Sequence, residues 1–166
     1  MTALLALAAA AQFALRSSAF AEGAAIPARF TCEAGDESPP LSWSSPPEAT
    51  KSLALVVDDP DAPDPEEPKR TWVHWVIYDL PASARGLGTG GALPEGTLRG
   101  KSDFGEGRWR GPCPPIGRHR YFFKLYALDV ALGDRGSLTK AELEQAIQGH
   151  VLAKAQLIGT YQKTHR

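Results

Sequence analysis

Proline and glycine punctuate this chain so often that its apolar runs are held to the length of strands. Fourteen Pro and sixteen Gly cluster between short apolar segments, which is how strands separated by turns and long loops look. The strand candidates are 13–15, 29–31, 41–43, 52–57, 71–78, 119–128 and 159–162, several of them rich in β-branched or aromatic residues. No strand is followed regularly by a helix. That argues against a parallel doubly wound sheet and for a mainly β fold, an antiparallel β-sandwich with short helices gathered at its C-terminal end.

The helices are expected from LTKAELEQAIQGHVLAKAQLIG. Thr139 followed three residues later by Glu142 forms a capping box, Leu138 can staple to Leu143, and a helix begins at Lys140. After Gly149, helical spacing resumes through Val151, Ala155 and Ile158, with Gly159 placed to close it, so the spacing predicts two short helices or one broken one.

A chain of 166 residues can bury a core without metals or disulfides and is read as one domain. The expected division is an Ala-rich segment over 1–12, as a helix, an uncleaved leader or a weak signal, followed by a single domain over 13–166. No Lys or Arg precedes the short apolar run of that segment, and it is too short to span a bilayer. A cytoplasmic chain is therefore favoured over an exported one. The 18 Lys and Arg nearly cancel the 19 Asp and Glu, which excludes the broad positive field that binds nucleic acid. Cys32 and Cys113 have neither a zinc spacing nor a disulfide framework around them, and a single bridge between them is left open.

The run VVDDPDAPD at 56–64 ends an apolar stretch in four carboxylates and two prolines. Read as a calcium loop, with Asp59 first, it has Asp64 where an EF-hand needs Gly and Arg70 where it needs Glu, so that loop is excluded. Asp64, Glu66 and Glu67 read as a solvated strand end. Asp59 and Asp61 differ, because the strand 52–57 carries them from the core to its rim, where carboxylates need donors. Alternation places His74 on one face with Trp72, Val76 and Tyr78, and His119 with Tyr121, Phe123 and Leu125. The Gly-rich loop 80–117 ends in GPCPPIGR, whose prolines fix the backbone and whose glycines permit a close approach. A loop of that length must either wrap the surface or build a site.

These segments resemble the phosphatidylethanolamine-binding protein family, in particular its bacterial Raf kinase inhibitor-like branch. The resemblance rests on SPPLSW at 38–43, DPDAP at 59–63, WVHWVIYDLP at 72–81, GPCPPIGRHRYFFKLYALD at 111–129 and GHVLAKAQLIGTY at 149–161. It implies a β-sandwich with a small preformed pocket for phosphate, phospho-headgroups or other small anions, without cofactor or metal. By motif, the pocket residues are Asp59, Asp61, Pro63, His74, Pro115, Gly117, His119 and Tyr121. The resemblance also implies cis peptides at Ala62–Pro63 and at Arg70–Thr71. The chain departs from the mammalian members in its Ala-rich start and in lacking their extension past the last helix, on which membrane-facing roles depend.

Carboxylates repel an anion, so Asp59 and Asp61 are expected to organise donors rather than to bind. In the preferred arrangement Asp59 orients His74, while His119, the Tyr121 hydroxyl and backbone N–H groups of 117–119 supply further donors. In the alternative, one carboxylate accepts the ammonium of an ethanolamine-like headgroup. No nucleophile elbow or metal motif points to an enzyme, and Cys113 between prolines lacks an activating cation. The functional expectation is a non-enzymatic binding protein for a small anionic ligand. Its alternative is a regulator that docks a phosphorylated or acidic segment of a protein partner, as kinase or protease inhibitors do.

Overall fold

The computed structural model describes residues 11–164, so the expectation for residues 1–10 of the Ala-rich segment lies outside the described residues. Two antiparallel sheets make up the fold. Three short strands, β1 (Leu15–Arg16), β2 (Leu41–Trp43) and β5 (Gly86–Leu87), form one sheet in the order β1-β2-β5. The other has five strands: β3 (Ser52–Ala62), β4 (Arg70–Pro81), β6 (Leu98–Arg99), β7 (His119–Leu128) and β8 (Val151–Tyr161), in the order β6-β4-β3-β7-β8.

β3 sits at the centre of the larger sheet, and its sequence says why. Leu53, Leu55 and Val57 face one apolar cluster, shared with Leu15, Leu41 and Trp43 of the small sheet. Ala54 and Val56 face a second cluster, shared with Leu143 and Ile147 of the helix α1 (Lys140–Ile147). A strand buried on both faces must be apolar without alternation, and LALVV is such a run.

The helix begins where the capping box places it. Thr139 accepts from the Glu142 backbone, and the Glu142 side chain accepts from the Thr139 backbone. The second expected helix is corrected: 151–161 is β8, paired antiparallel along β7 from His119↔Tyr161 to Leu128↔Val151. Ala155, Leu157, Gly159 and Tyr161 are buried while Leu152, Lys154 and Gln156 are exposed, so the segment carries both a helical spacing and a strand alternation. The unpaired edge of β7 decides between them, since its N–H and C=O groups need partners. Gly149, at φ 81°, makes the turn that separates α1 from β8. Residues 29–31 are likewise not a strand, because Ala28–Phe30 forms a 3-10 turn capped at Thr31.

The cysteines left open by the sequence are joined as Cys32–Cys113. Among the described residues the one cis peptide is Ala62–Pro63, so the Arg70–Thr71 bond is not cis. No helix among them is long and apolar enough to cross a membrane.

Candidate functional site

Four strands of the large sheet, β3, β4, β7 and β8, are 10 to 12 residues long while those of the small sheet have two or three, so the large sheet outruns its cover. At the uncovered end lies a cavity of about 240 Å³. Its apolar walls are Ala62 at the end of β3, Pro63 after it, Trp72 of β4, Phe104 and the 113–115 wall, and its polar groups are Asp59, His74, His119 and Tyr121.

A bulge aims His74 into it. Val57 pairs with Trp75 and Asp58 with Val73, so His74 is the extra residue of β4. Expected on the face of Val76 and Tyr78, it is separated from them by the bulge. Those two pack towards α1, while His74 and Trp72 line the cavity with Tyr121 of β7.

The preferred pairing of Asp59 with His74 is corrected by the hydrogen bonds. Asp59 Oδ2 lies 2.7 Å from His119 Nδ1, and Asp59 Oδ1 accepts from the Asp61 backbone N–H at 2.8 Å. His119 Nε2 lies 2.9 Å from the Ile116 carbonyl, so His119 spends both nitrogens on the protein and has none left for a ligand. The reason is register: His119 opens β7 opposite the end of β3, while the bulge turns His74 away from Asp59. His74 instead donates from Nδ1 to the Arg110 carbonyl at 2.6 Å. Its Nε2 has no partner among the described residues.

Asp61 and Gly117 lie outside the cavity walls. Asp61 holds Arg120, accepting from its backbone N–H at 2.9 Å, from Nε at 3.0 Å and from Nη2 at 2.8 Å. That hydrogen-bonded guanidinium pulls the Asp61 carboxyl below the usual carboxylate range. Gly117 has φ 70°, and a Cβ there would stand 2.9 Å from Pro65 Cγ. It makes the turn that presents the Ile116 carbonyl to His119. Asp59, Pro63, His74, Pro115, His119 and Tyr121 are thus brought together, and the other two expected residues brace them.

Burial lowers the pKa of His74 below its ordinary value, against the opposing pull of the Arg110 carbonyl and of Asp59, Asp36 and Asp58. Tyr121, raised by burial and by the carboxylates of Asp59 and Asp61, stays a neutral phenol. Its hydroxyl is buried without a partner, as is the indole N–H of Trp72.

Trp72, Phe104, Ala62, Cys113 and Pro114 were not among the expected site residues. Trp72 was within reach, since it shares a strand face with His74 two positions on. Phe104, which meets both Trp72 and His74 edge-on at 5.4 Å, sits in a loop whose path no local pattern reveals. The loop 80–117 contributes Phe104, Cys113, Pro114 and Pro115 to the cavity lining.

Comparison with known proteins agrees with this architecture. The family model described as phosphatidylethanolamine-binding protein matches residues 16–162. A UPF0098 protein of Methanothermobacter thermautotrophicus is 46% identical, covering 90% of this chain and 98% of its own length. A solved structure of a putative phosphatidylethanolamine-binding protein homolog from Chlamydia trachomatis superposes with a TM-score of 0.85 at 41% identity, covering 92% of this chain and 98% of that one. The structure of E. coli YbcL, described as a new member of the mammalian PEBP family, has a TM-score of 0.82 at 32% identity, covering 93% and 100%.

Proposed function

The chain belongs to the phosphatidylethanolamine-binding protein family, and from that premise we propose that its cavity binds a small ligand through a phosphate or similar oxyanionic group, without chemical conversion. The observation that carries this reading is a contrast in hydrogen bonding. Around the 59–61 turn Asp59, Asp61 and His119 are all satisfied, whereas among the described residues neither His74 Nε2 nor the Tyr121 hydroxyl has a partner, and both residues line the cavity. Polar groups left without protein partners in a preformed, mostly apolar pocket are the groups that fix a ligand's orientation. The carboxylates act through the frame: Asp61 anchors Arg120 and Asp59 anchors His119. A cavity of about 240 Å³ suits a headgroup or a small organic anion.

The test is a titration with inorganic phosphate and with phosphorylethanolamine, following the imidazole NMR signals of His74 and His119 from pH 5 to 8. Saturable shifts at His74, with smaller ones at the fully bonded His119, support the reading. Absence of any shift at His74 across that range sinks it, and phosphorylethanolamine alone shifting His74 assigns a role to the ammonium beside Asp59.

A second reading places the same group on a segment of a protein partner, and Ile116 favours it. This side chain is 54% exposed next to the Pro114–Pro115 wall, where a docking chain would find it. Under either reading His74→Ala abolishes capture of the small anion. A partner whose binding survives that change docks elsewhere on the surface.

A further inference from the structure

The hydrogens that the protein's own bonds leave in place set what the cavity can accept. Nδ1 of His74 faces the Arg110 carbonyl at 2.6 Å. That oxygen can only accept, so Nδ1 carries the hydrogen and a neutral ring presents a bare Nε2 lone pair. Tyr121 meets the His74 ring edge-on at 5.2 Å between centroids, and its unpartnered hydroxyl can donate. His119 cannot replace the missing donor, because both of its nitrogens are committed. Among the described residues no Lys or Arg lines the cavity. A fully ionised oxyanion would therefore set its lone pairs against that of Nε2. An acid group that keeps one hydrogen meets a complementary pair: its O–H donates to Nε2 and its other oxygen accepts from Tyr121.

Resting on the reading that this cavity takes a phosphate-type group, we propose that it takes the group with one hydrogen in place, as the monoanion. Capture from neutral solution is then coupled to the uptake of one proton, which comes to lie between the ligand oxygen and His74 Nε2. No other bond is made or broken, and solvent supplies the proton. The groups that act on His74 from the surrounding elements point the same way. Asp58 and Asp59 of β3 and Asp36 of the loop before β2 are acidic and favour a proton there. Tyr121 of β7 is a neutral phenol, and Phe104 is uncharged. Arg110 turns its carbonyl to the ring while its guanidinium lies over Phe104 at 4.9 Å. His119 is already hydrogen-bonded to Asp59. Burial keeps the proton off His74 while the cavity is empty, and an oxyanion at Nε2 reverses that balance.

Methyl phosphate and methanesulfonate test this, being similar in size and differing in their protons. A phosphate monoester, with a second pKa of about 6, can hold a hydrogen where a sulfonate cannot. Calorimetry at pH 7.5 in buffers of different ionisation enthalpy should show about one proton taken up per methyl phosphate bound, with Kd rising about tenfold per pH unit between 7 and 8. Methanesulfonate should bind at least about tenfold more weakly at that pH. His74→Gln, whose amide can turn an N–H to a fully ionised oxyanion and does not titrate, should bring the two probes within a few-fold of each other and abolish the proton uptake. Methyl phosphate binding with no proton uptake and a pH-independent Kd overturns the proposal while leaving the phosphate reading intact. Failure of both probes to bind anywhere from pH 5 to 8 overturns the phosphate reading and this proposal with it. The proton count is made on the unaltered protein, so it decides the matter even if the Gln variant does not fold.

Discussion

Replacing both cysteines, Cys32→Ser with Cys113→Ser, separates what the disulfide does for the chain from what it does for the cavity. The bridge closes a loop with a sequence separation of 81. In the chain-entropy account a loop of that length removes about 4.5 kcal/mol of conformational freedom from the unfolded state at 25 °C. With a urea slope of roughly 2 kcal/mol/M, the unfolding midpoint should fall by about 2 M. In the folded chain much of the neighbourhood stays put without the bridge. The Cys32 backbone N–H still donates to the Pro112 carbonyl at 3.1 Å, and the Gly111 N–H to Asp36 Oδ1 at 2.6 Å. Gly111 lies so close to the 3-10 turn that a Cβ would come within 2.2 Å of the Phe30 carbonyl. The wall formed by Cys113, Pro114 and Pro115 therefore holds its place, and affinity for a cavity ligand should change by less than about threefold, under 0.7 kcal/mol. Urea unfolding followed by tryptophan fluorescence, with phosphate binding measured on the same samples, reads both quantities. A midpoint shift below about 0.5 M with an unchanged slope would refute the loop-closure reasoning. A large loss of affinity with little loss of stability would show that the bridge shapes the native cavity instead.

Because burial depresses the His74 pKa in the fold, the unfolded chain takes up that proton first as pH falls. This contribution to stability is intact above the unfolded value of about 6.5 and declines below it by up to about 1.4 kcal/mol per pH unit until the folded pKa is reached. His74→Gln should flatten the acid limb of stability between pH 6.5 and 5, and an unchanged limb would contradict the assignment. Asp59→Ala strands His119 Nδ1 and the Asp61 N–H, now bonded at 2.7 and 2.8 Å, at a cost of about 3 kcal/mol. Asp59→Asn keeps an acceptor for Asp61 and can donate to a bare Nδ1 of His119 while Nε2–H still donates to the Ile116 carbonyl, so it should cost less than about 1 kcal/mol, and equal losses in denaturant titrations would argue against the pairing. Gly159→Ala puts a Cβ 2.5 Å from Ile26 Cγ1 and 2.8 Å from Phe20 Cε2, which should cost about 1 to 3 kcal/mol by overpacking. Full stability in that variant would mean that the segment 20–26 can move off β8.

What the sequence determined by itself is what depends on neighbours along the chain. Proline and glycine spacing confined the apolar runs to strand length. The unbroken apolar run of β3 marked a strand covered on both sides, and Thr139 with Glu142 marked the start of α1 to the residue. The motifs around Asp59, His74 and His119 pointed to the strands that line the cavity. The tertiary structure alone decided what depends on pairing. Residues 151–161 carry both a helical and a strand pattern, and only the free edge of β7 resolved them into β8. His74 and His119 each had a carboxylate in reach on paper. A single extra residue in β4, invisible without its register against β3, turned His74 into the cavity and left Asp59 to His119. Phe104 and the Cys32–Cys113 bridge come together across loops whose paths are set by packing, because a loop's local preferences leave many conformations open and distant contacts select one.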